Sequence, residues 1–281
     1  MRSRVLTAIG LIPIVLGALF FASPWPFFVL AEVAAFICTL ELSTLLKSKR
    51  VWIGWAIGAF LVLVPAVLPP GGAFLQTRYS PREWAVQSVL SLLCGIAVFP
   101  FALGYRPTGW PKSARWPGLT FACEVVAPTW YLLPFACLLR LHGTHSGLWD
   151  LADPALMAIV PLWGGDTAGI FVGKAFGRRL LAPKISPKKT VEGAIANLFA
   201  CPLVSIPLGL AIGLSWEAGA ACGLAAGTFG QLGDLFESYV KRQAGVKDSG
   251  SLLPGHGGLL DRVDSLLFTA PIVFAILNLI K

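Results

Sequence analysis

Apolar runs of about 17–22 residues follow one another along the chain, separated by short polar stretches, and within each run apolarity is continuous. Continuity marks helices, whereas barrel strands alternate apolar and polar positions. Runs of this length cross a hydrocarbon core of ~30 Å. They fall at about 5–22, 26–46, 51–68, 85–103, 119–139, 155–176, 194–213, 215–232 and 264–280. The pattern predicts an all-α integral membrane protein, a polytopic bundle of about nine transmembrane helices. Pro134, Pro161, Pro202 and Pro207 are expected to kink or interrupt their spans. The first run follows Met-Arg-Ser-Arg, a short charged start like that of a signal peptide. It lacks a convincing small-residue cleavage pattern and is read as the first span.

Composition agrees: 56% of residues are hydrophobic and 13% charged, outside the range of soluble globular domains. With the N-terminus in the cytoplasm, the inner loops collect every Lys and Arg except Arg78, Arg82, Arg140 and Lys281. That bias satisfies the positive-inside rule. Much of the net charge of +8 then reflects topology and attraction to anionic membrane lipids. Nucleic acid is excluded as a partner, since no soluble basic domain exists to carry it. The six cysteines lie singly in apolar runs, without CxxC spacing, and read as small hydrophobes. No Pro/Gly/Ser linker divides the chain. Residues 1–281 form one membrane domain, with five spans in 1–154 and four, carrying most of the chemistry, in 155–281. The loops at 69–84 and 140–154 are placed outside; His142 and His145 lack the further ligands a metal site needs.

Glycines 165, 169, 173 and 177 repeat every fourth residue, lining one helix face for close approach of another backbone. Asp166 lies beside them, and a carboxylate inside a span is a functional candidate by default. Glycines 219, 223 and 227 mark a second such face, so the two helices could pack together and bring Asp166 towards Asp234. In the loop after the sixth span, Lys188 and Lys189 precede a helix that Thr190 is placed to cap, with Glu192 in its first turn. Cations beside free backbone N–H groups suit an anion.

The stretch Gly233–Asp264 concentrates five carboxylates (Asp234, Glu237, Asp248, Asp261 and Asp264), four cations, His256 and six glycines between two apolar runs. It falls on the cytoplasmic side. Asp234, Glu237, Ser238 and Lys241 share a helix face, as do Asp261, Asp264 and Ser265. Between them, a glycine-rich segment can bend tightly around a ligand. Carboxylates converging from two helices suit Mg²⁺, which leaves positions for phosphate oxygens. Lys241, Arg242, Lys247 and Arg262 would neutralise phosphates.

These residues resemble the signature of the phosphatidate cytidylyltransferase (CDP-diacylglycerol synthase) family. The resemblance is carried by Ser238-x-x-Lys241-Arg242, Lys247-Asp248, Pro254-Gly255-His256-Gly257-Gly258 and Asp261-Arg262-x-Asp264. Upstream, Gly233-Asp234-Leu235, Ser186-Pro187-Lys188-Lys189-Thr190 with Glu192-Gly193, Asp166-Thr167 and Glu41 also match. One departure is Ile170, where the family usually has tyrosine; Phe171 could replace only its bulk. The resemblance implies transfer of a cytidylyl group from CTP to phosphatidic acid, giving CDP-diacylglycerol and pyrophosphate. It implies divalent metal, Mg²⁺ as one or two ions, on Asp234, Asp261 and Asp264, with Asp248 as a further ligand or an orienting group; a monovalent cation is also compatible. Ser186, Lys188, Lys189, Thr190, Ser238, Lys241, Arg242, Lys247, Gly257, Gly258 and Arg262 are expected around the phosphates. His256 is expected to shape the phosphate loop, with a role as general acid left open. Asp166, Glu192 and Glu41 are further candidates. A bacterial-type inner or plasma membrane location follows, and a homodimer is left open. The alternatives are a polyprenol kinase, an ether-lipid cytidylyltransferase or, from another class, a transporter.

Overall fold

The computed structural model describes residues 13–15, 17–18, 24–58, 89, 93, 127–142, 153–252 and 257–280, which are mostly helical. The runs expected at 5–22 and 85–103 lie for the most part outside the described residues, and the loop at 69–84, His145, Pro254, Gly255 and His256 lie outside them. Eight helices are described: α1 (Pro24–Leu45), α2 (Val51–Gly58), α3 (Thr129–His142), α4 (Leu156–Phe176), α5 (Val191–Ala211), α6 (Trp216–Ala225), α7 (Gln231–Gln243) and α8 (Leu260–Leu279). Among the described residues, Trp25–Leu45, Leu156–Phe176 and Val191–Ala211 are long and apolar enough to cross a membrane. Prolines 134, 161, 202 and 207 lie inside α3, α4 and α5 without ending them. Each removes one backbone donor, and the neighbouring turns keep the helix going.

The all-α expectation needs one correction. Between α4 and α5 the chain forms an antiparallel hairpin of β1 (Leu180–Ala182) and β2 (Ser186–Thr190), pairing Leu180 with Thr190 and Ala182 with Ser186. Pro183 stands at the second position of its turn, which Ile185 N–H closes onto the Ala182 carbonyl at 3.1 Å, the place where a fixed φ favours a turn. Pro187 lacks a donor, which a two-stranded ribbon tolerates because each strand has a free edge.

The core surrounds α3, where Trp130, Tyr131, Leu132, Leu138 and Leu139 are almost fully buried, with α1 and α8 packed against it. Cys38, Cys137, Cys201 and Cys222 are buried free thiols. The glycine faces work differently from the direct pairing expected. Both turn their glycines to α5, which lies between them. A Cβ on Gly169 would stand 3.2 Å from the Gly193 carbonyl oxygen, and one on Gly173 2.9 Å from Thr190 Oγ1. From the other side, a Cβ on Gly219 would meet Ile206 Cα at 3.0 Å and one on Gly223 would meet Pro202 Cα at 2.4 Å. A π-helical turn, Ala226–Gly230, joins α6 to α7 without a break.

The region read as an unremarkable loop at 140–154 contains a buried polar contact. His142 Nδ1 lies 2.6 Å from Asp153 Oδ2, and Asp153 Oδ1 accepts the Ala155 N–H at 2.7 Å, fastening the start of α4 to the end of α3. Sequence separation hid this pair, because His142 ends α3 and Asp153 lies eleven residues on, just before α4.

Gly223→Ala is expected to lower stability in detergent by about 1–3 kcal/mol, since the added methyl meets backbone and forces α6 from α5. Leu224→Ala, at a residue 52% exposed, is expected to change the thermal midpoint much less. Equal midpoints for the two variants would contradict this packing.

Candidate active site

The face predicted on α7 forms. Ser238 Oγ donates to Asp234 Oδ1 at 3.4 Å, and Lys241 Nζ lies 2.5 Å from Glu237 Oε2 one turn along. Gly233 makes room for α8: a Cβ there would stand 2.6 Å from the Asp264 carbonyl oxygen. That close crossing puts Asp234 of α7 and Asp264 of α8 on the wall of one cavity of about 290 Å³, together with Asp166, Lys241, Asp248, Asp261 and Arg262. Asp264 is buried, its Oδ1 accepting from Ser265 N–H at 2.6 Å and Ser265 Oγ at 3.2 Å.

Asp261 is engaged by the protein itself. Its Oδ1 accepts from Lys241 Nζ at 2.6 Å, and its carboxylate receives the N–H groups of Ser249, at 3.0 Å, and Gly258, at 2.8 Å. Burial alone would raise its pKa; the Lys241 ammonium and the Gly258 N–H outweigh burial and hold it below the usual carboxylate range. Lys241 is therefore tied between two carboxylates and 8% exposed, where a freely presented phosphate-binding cation was expected. Glu237 is fully buried. Burial, then the nearby Asp264 charge, pushes its pKa up to about 9 against the opposing pull of Lys241.

A second cavity, about 570 Å³, opens beside the first and shares Asp166, Asp234 and Ser265 with it. Its lining is mixed: Lys174, Lys188 and Lys189 stand with Ile170, Leu181 and Ala194. The hairpin carries Lys189 to an ion pair with Asp234. Thr190 caps α5 as expected, its Oγ1 accepting the Gly193 N–H at 3.2 Å. Glu192 Oε2 accepts from Arg178 N–H at 3.1 Å and Arg179 N–H at 3.3 Å, securing the start of the hairpin.

The expected residues thus separate into groups. Asp234, Asp248, Asp261, Asp264, Lys241 and Arg262 line the smaller cavity, Lys188, Lys189 and Thr190 the larger, and Asp166 both. Arg242 instead donates to the backbone carbonyls of Ile185, at 3.4 Å, and Val246, at 3.0 Å. Ser186 lies in β2, and Lys247 is exposed; neither lines either of these two cavities. Ile170, at the family's tyrosine position, lines the larger cavity, whereas Phe171 lines neither and does not replace the ring there. Gly257 has φ +83° and presses on Asp261, while Gly258 presses on Ser249 and Glu41. These glycines wrap protein carboxylates, not only open space for a ligand.

Two residues escaped sequence reading. Asn197 Nδ2 donates to Asp166 Oδ1 at 3.0 Å, and Gln231 Nε2 donates to Asn197 Oδ1 at 3.3 Å and to the Gly227 carbonyl at 2.6 Å. A carboxamide inside an apolar run was the available signal. Among the described residues, no three His, Cys, Asp or Glu side chains form a ready metal cage.

Residues 2–280 match the model of the Cytidylyltransferase family. The chain is similar to the phosphatidate cytidylyltransferase of Haemophilus influenzae, 33% identical over 290 residues, covering 96% of each chain. It is likewise 33% identical over 283 residues to that of Pseudomonas aeruginosa, covering 99% of this chain and 97% of the relative. The Bacillus subtilis phosphatidate cytidylyltransferase gives 33% over 283 residues, with 99% and 98% covered. With motifs, cavity and near-complete alignment in agreement, this chain belongs to the cytidylyltransferase family.

Proposed function

We propose that this protein transfers the cytidylyl group of CTP to phosphatidate, forming CDP-diacylglycerol and releasing pyrophosphate. The observation that carries the reading is the pair of adjoining cavities. One is lined by carboxylates and cations, the other by cations and apolar side chains, and Asp166, Asp234 and Ser265 are common to both. Two anionic substrates, one of them a lipid, need such a junction. The curated relatives named phosphatidate cytidylyltransferase supply the reaction class.

In this reading the triphosphate lies along the smaller cavity and the lipid phosphate enters from the larger one, beside Lys188 and Lys189. An oxygen of the phosphatidate phosphate forms a bond to the α-phosphorus of CTP. The bond from that phosphorus to the β-bridging oxygen breaks, and the electron pair leaves with pyrophosphate. The lipid phosphate is already anionic at neutral pH, so no strong base is required. The obstacle is repulsion between anions, which Lys189 and Arg262 reduce while alignment keeps attack and departure in line.

Mg²⁺ is commonly held by one or two carboxylates with phosphate oxygens and waters completing its shell. Asp234 and Asp264, hard oxygen donors on one cavity wall, fit that requirement. Asp261, already filled by Lys241 and two backbone donors, is assigned to holding the loop. When bound, the ion would supply charge neutralisation at the phosphates. Asn197 and Gln231 keep Asp166 in place at the junction. We further place the site on the cytoplasmic side of a nine-span bundle with its N-terminus inside, supported by the distribution of Lys and Arg.

With CTP labelled at the α-phosphate and phosphatidate in detergent, label is expected to enter lipid as unlabelled pyrophosphate is released. Label entering lipid only from the γ-phosphate, with release of CDP, would make the protein a kinase. Chelation of divalent metal is expected to abolish turnover and added Mg²⁺ to restore it. Asp234→Asn should lower turnover by ~100-fold or more with the thermal midpoint little changed; near-normal turnover would remove Asp234 from the metal site.

A further inference from the structure

Glu41 stands near the C-terminal end of α1, far in sequence from the cavity residues, and lines neither cavity. Its carboxylate is 6% exposed. Oε1 accepts the Leu259 N–H at 2.7 Å; Oε2 accepts the Leu260 N–H at 2.8 Å and Ser249 Oγ at 2.9 Å. Leu260 opens α8, and Leu259, its N-cap residue, has no side chain able to accept a hydrogen bond. Glu41 thus supplies the missing cap from another helix, where orphan N–H groups and the positive end of the dipole favour a carboxylate. Gly250 and Gly258 fit against it: a Cβ at Gly250 would stand 2.9 Å from Oε1 and one at Gly258 2.5 Å from Oε2.

Asp261 grips the same segment through the N–H groups of Ser249 and Gly258. Ser249 is therefore held by two carboxylates, Glu41 from α1 and Asp261 from α8, while Gly258 donates to Asp261 and lies against Glu41. Asp248 precedes this segment and Asp261 and Arg262 follow it, all three lining the smaller cavity.

We propose that Glu41 is a positioning residue, which holds residues 249 and 257–260 so that Asp248 and Asp261 keep their places on the cavity wall and Arg262 meets the nucleotide phosphates; the inference rests on reading this cavity as the CTP site. A displacement of about 1 Å at such groups can cost ~100-fold in rate. Glu41→Gln keeps the volume and turns one acceptor into a donor facing donors. In the full chain in detergent, it is expected to raise KM for CTP about fivefold or more and lower kcat about tenfold. KM for phosphatidate should stay within about twofold, and amide exchange should quicken at 249–250 and 258–260 with α4 and α5 unchanged. Wild-type KM and kcat in the folded variant, or a purely global rise in exchange, would overturn the proposal.

A second pair of substitutions covers a variant that does not fold. Gly250→Ala crowds Glu41, which supplies the three nearest atoms, and the shorter side chain of Glu41→Asp makes room for it. The double variant is expected to recover at least about threefold in kcat/KM for CTP over Gly250→Ala, while simple additivity of the two losses would overturn the proposal. Absence of CTP turnover in the unaltered protein would instead defeat the functional reading, and unchanged exchange at 249–250 and 258–260 in Glu41→Gln would defeat this one separately.

Discussion

The buried ion pair of Lys241 with Asp261 joins three parts of the site. Lys241 belongs to α7, Asp261 to the first turn of α8, and through the Ser249 and Gly258 N–H groups the same carboxylate takes hold of the intervening segment. Removing one partner of such a pair leaves an uncompensated charge, at a cost of roughly 3–5 kcal/mol. Here the stranded charge would be Lys241 beside a Glu237 that burial keeps towards its neutral form, or Asp261 with only backbone donors. The same two helices carry the cavity residues Asp234 and Asp264, which their close crossing at Gly233 sets on one wall.

Close approach is the second requirement, and glycine meets it in two ways. On α4 and α6 the absent side chains let α5 lie against both helices, which aligns Asp166 on α4 with the Asn197 and Gln231 carboxamides. In the segment before α8, Gly250, Gly257 and Gly258 press against Glu41 and Asp261. Substrate phosphates meet a surface already shaped around the protein's own carboxylates. Preorganisation of this kind leaves less ordering to be done when the nucleotide binds.

Much of this could be read from the chain. Thr190 as a cap and the shared face of Asp234, Ser238 and Lys241 follow from helical spacing and local capping chemistry; the expected approach of Asp166 to Asp234 also holds, but through α5 and not by direct pairing of the glycine faces. Local rules failed where partners were distant. The hairpin at 180–190 looked like a cationic loop because its strands are short and contain Pro187. Asp261 was expected to hold metal, and the spacing of a carboxylate does not reveal that Lys241 and two backbone N–H groups also reach it. Arg242 looked like a phosphate ligand, yet it binds the carbonyls of Ile185 and Val246.

Sequence alone determined the membrane class, the helical character of the long apolar runs, and the family, because hydropathy, periodicity and motif spacing are local properties of the chain. Tertiary structure decided which charges face a substrate and which face each other. Glu41 is the clearest case: its partners Ser249, Leu259 and Leu260 lie more than 200 residues away, and two of the three offer only backbone N–H groups, which no side-chain pattern can announce. Whether a buried carboxylate is a ligand or a fastening depends on the donors that folding brings to it.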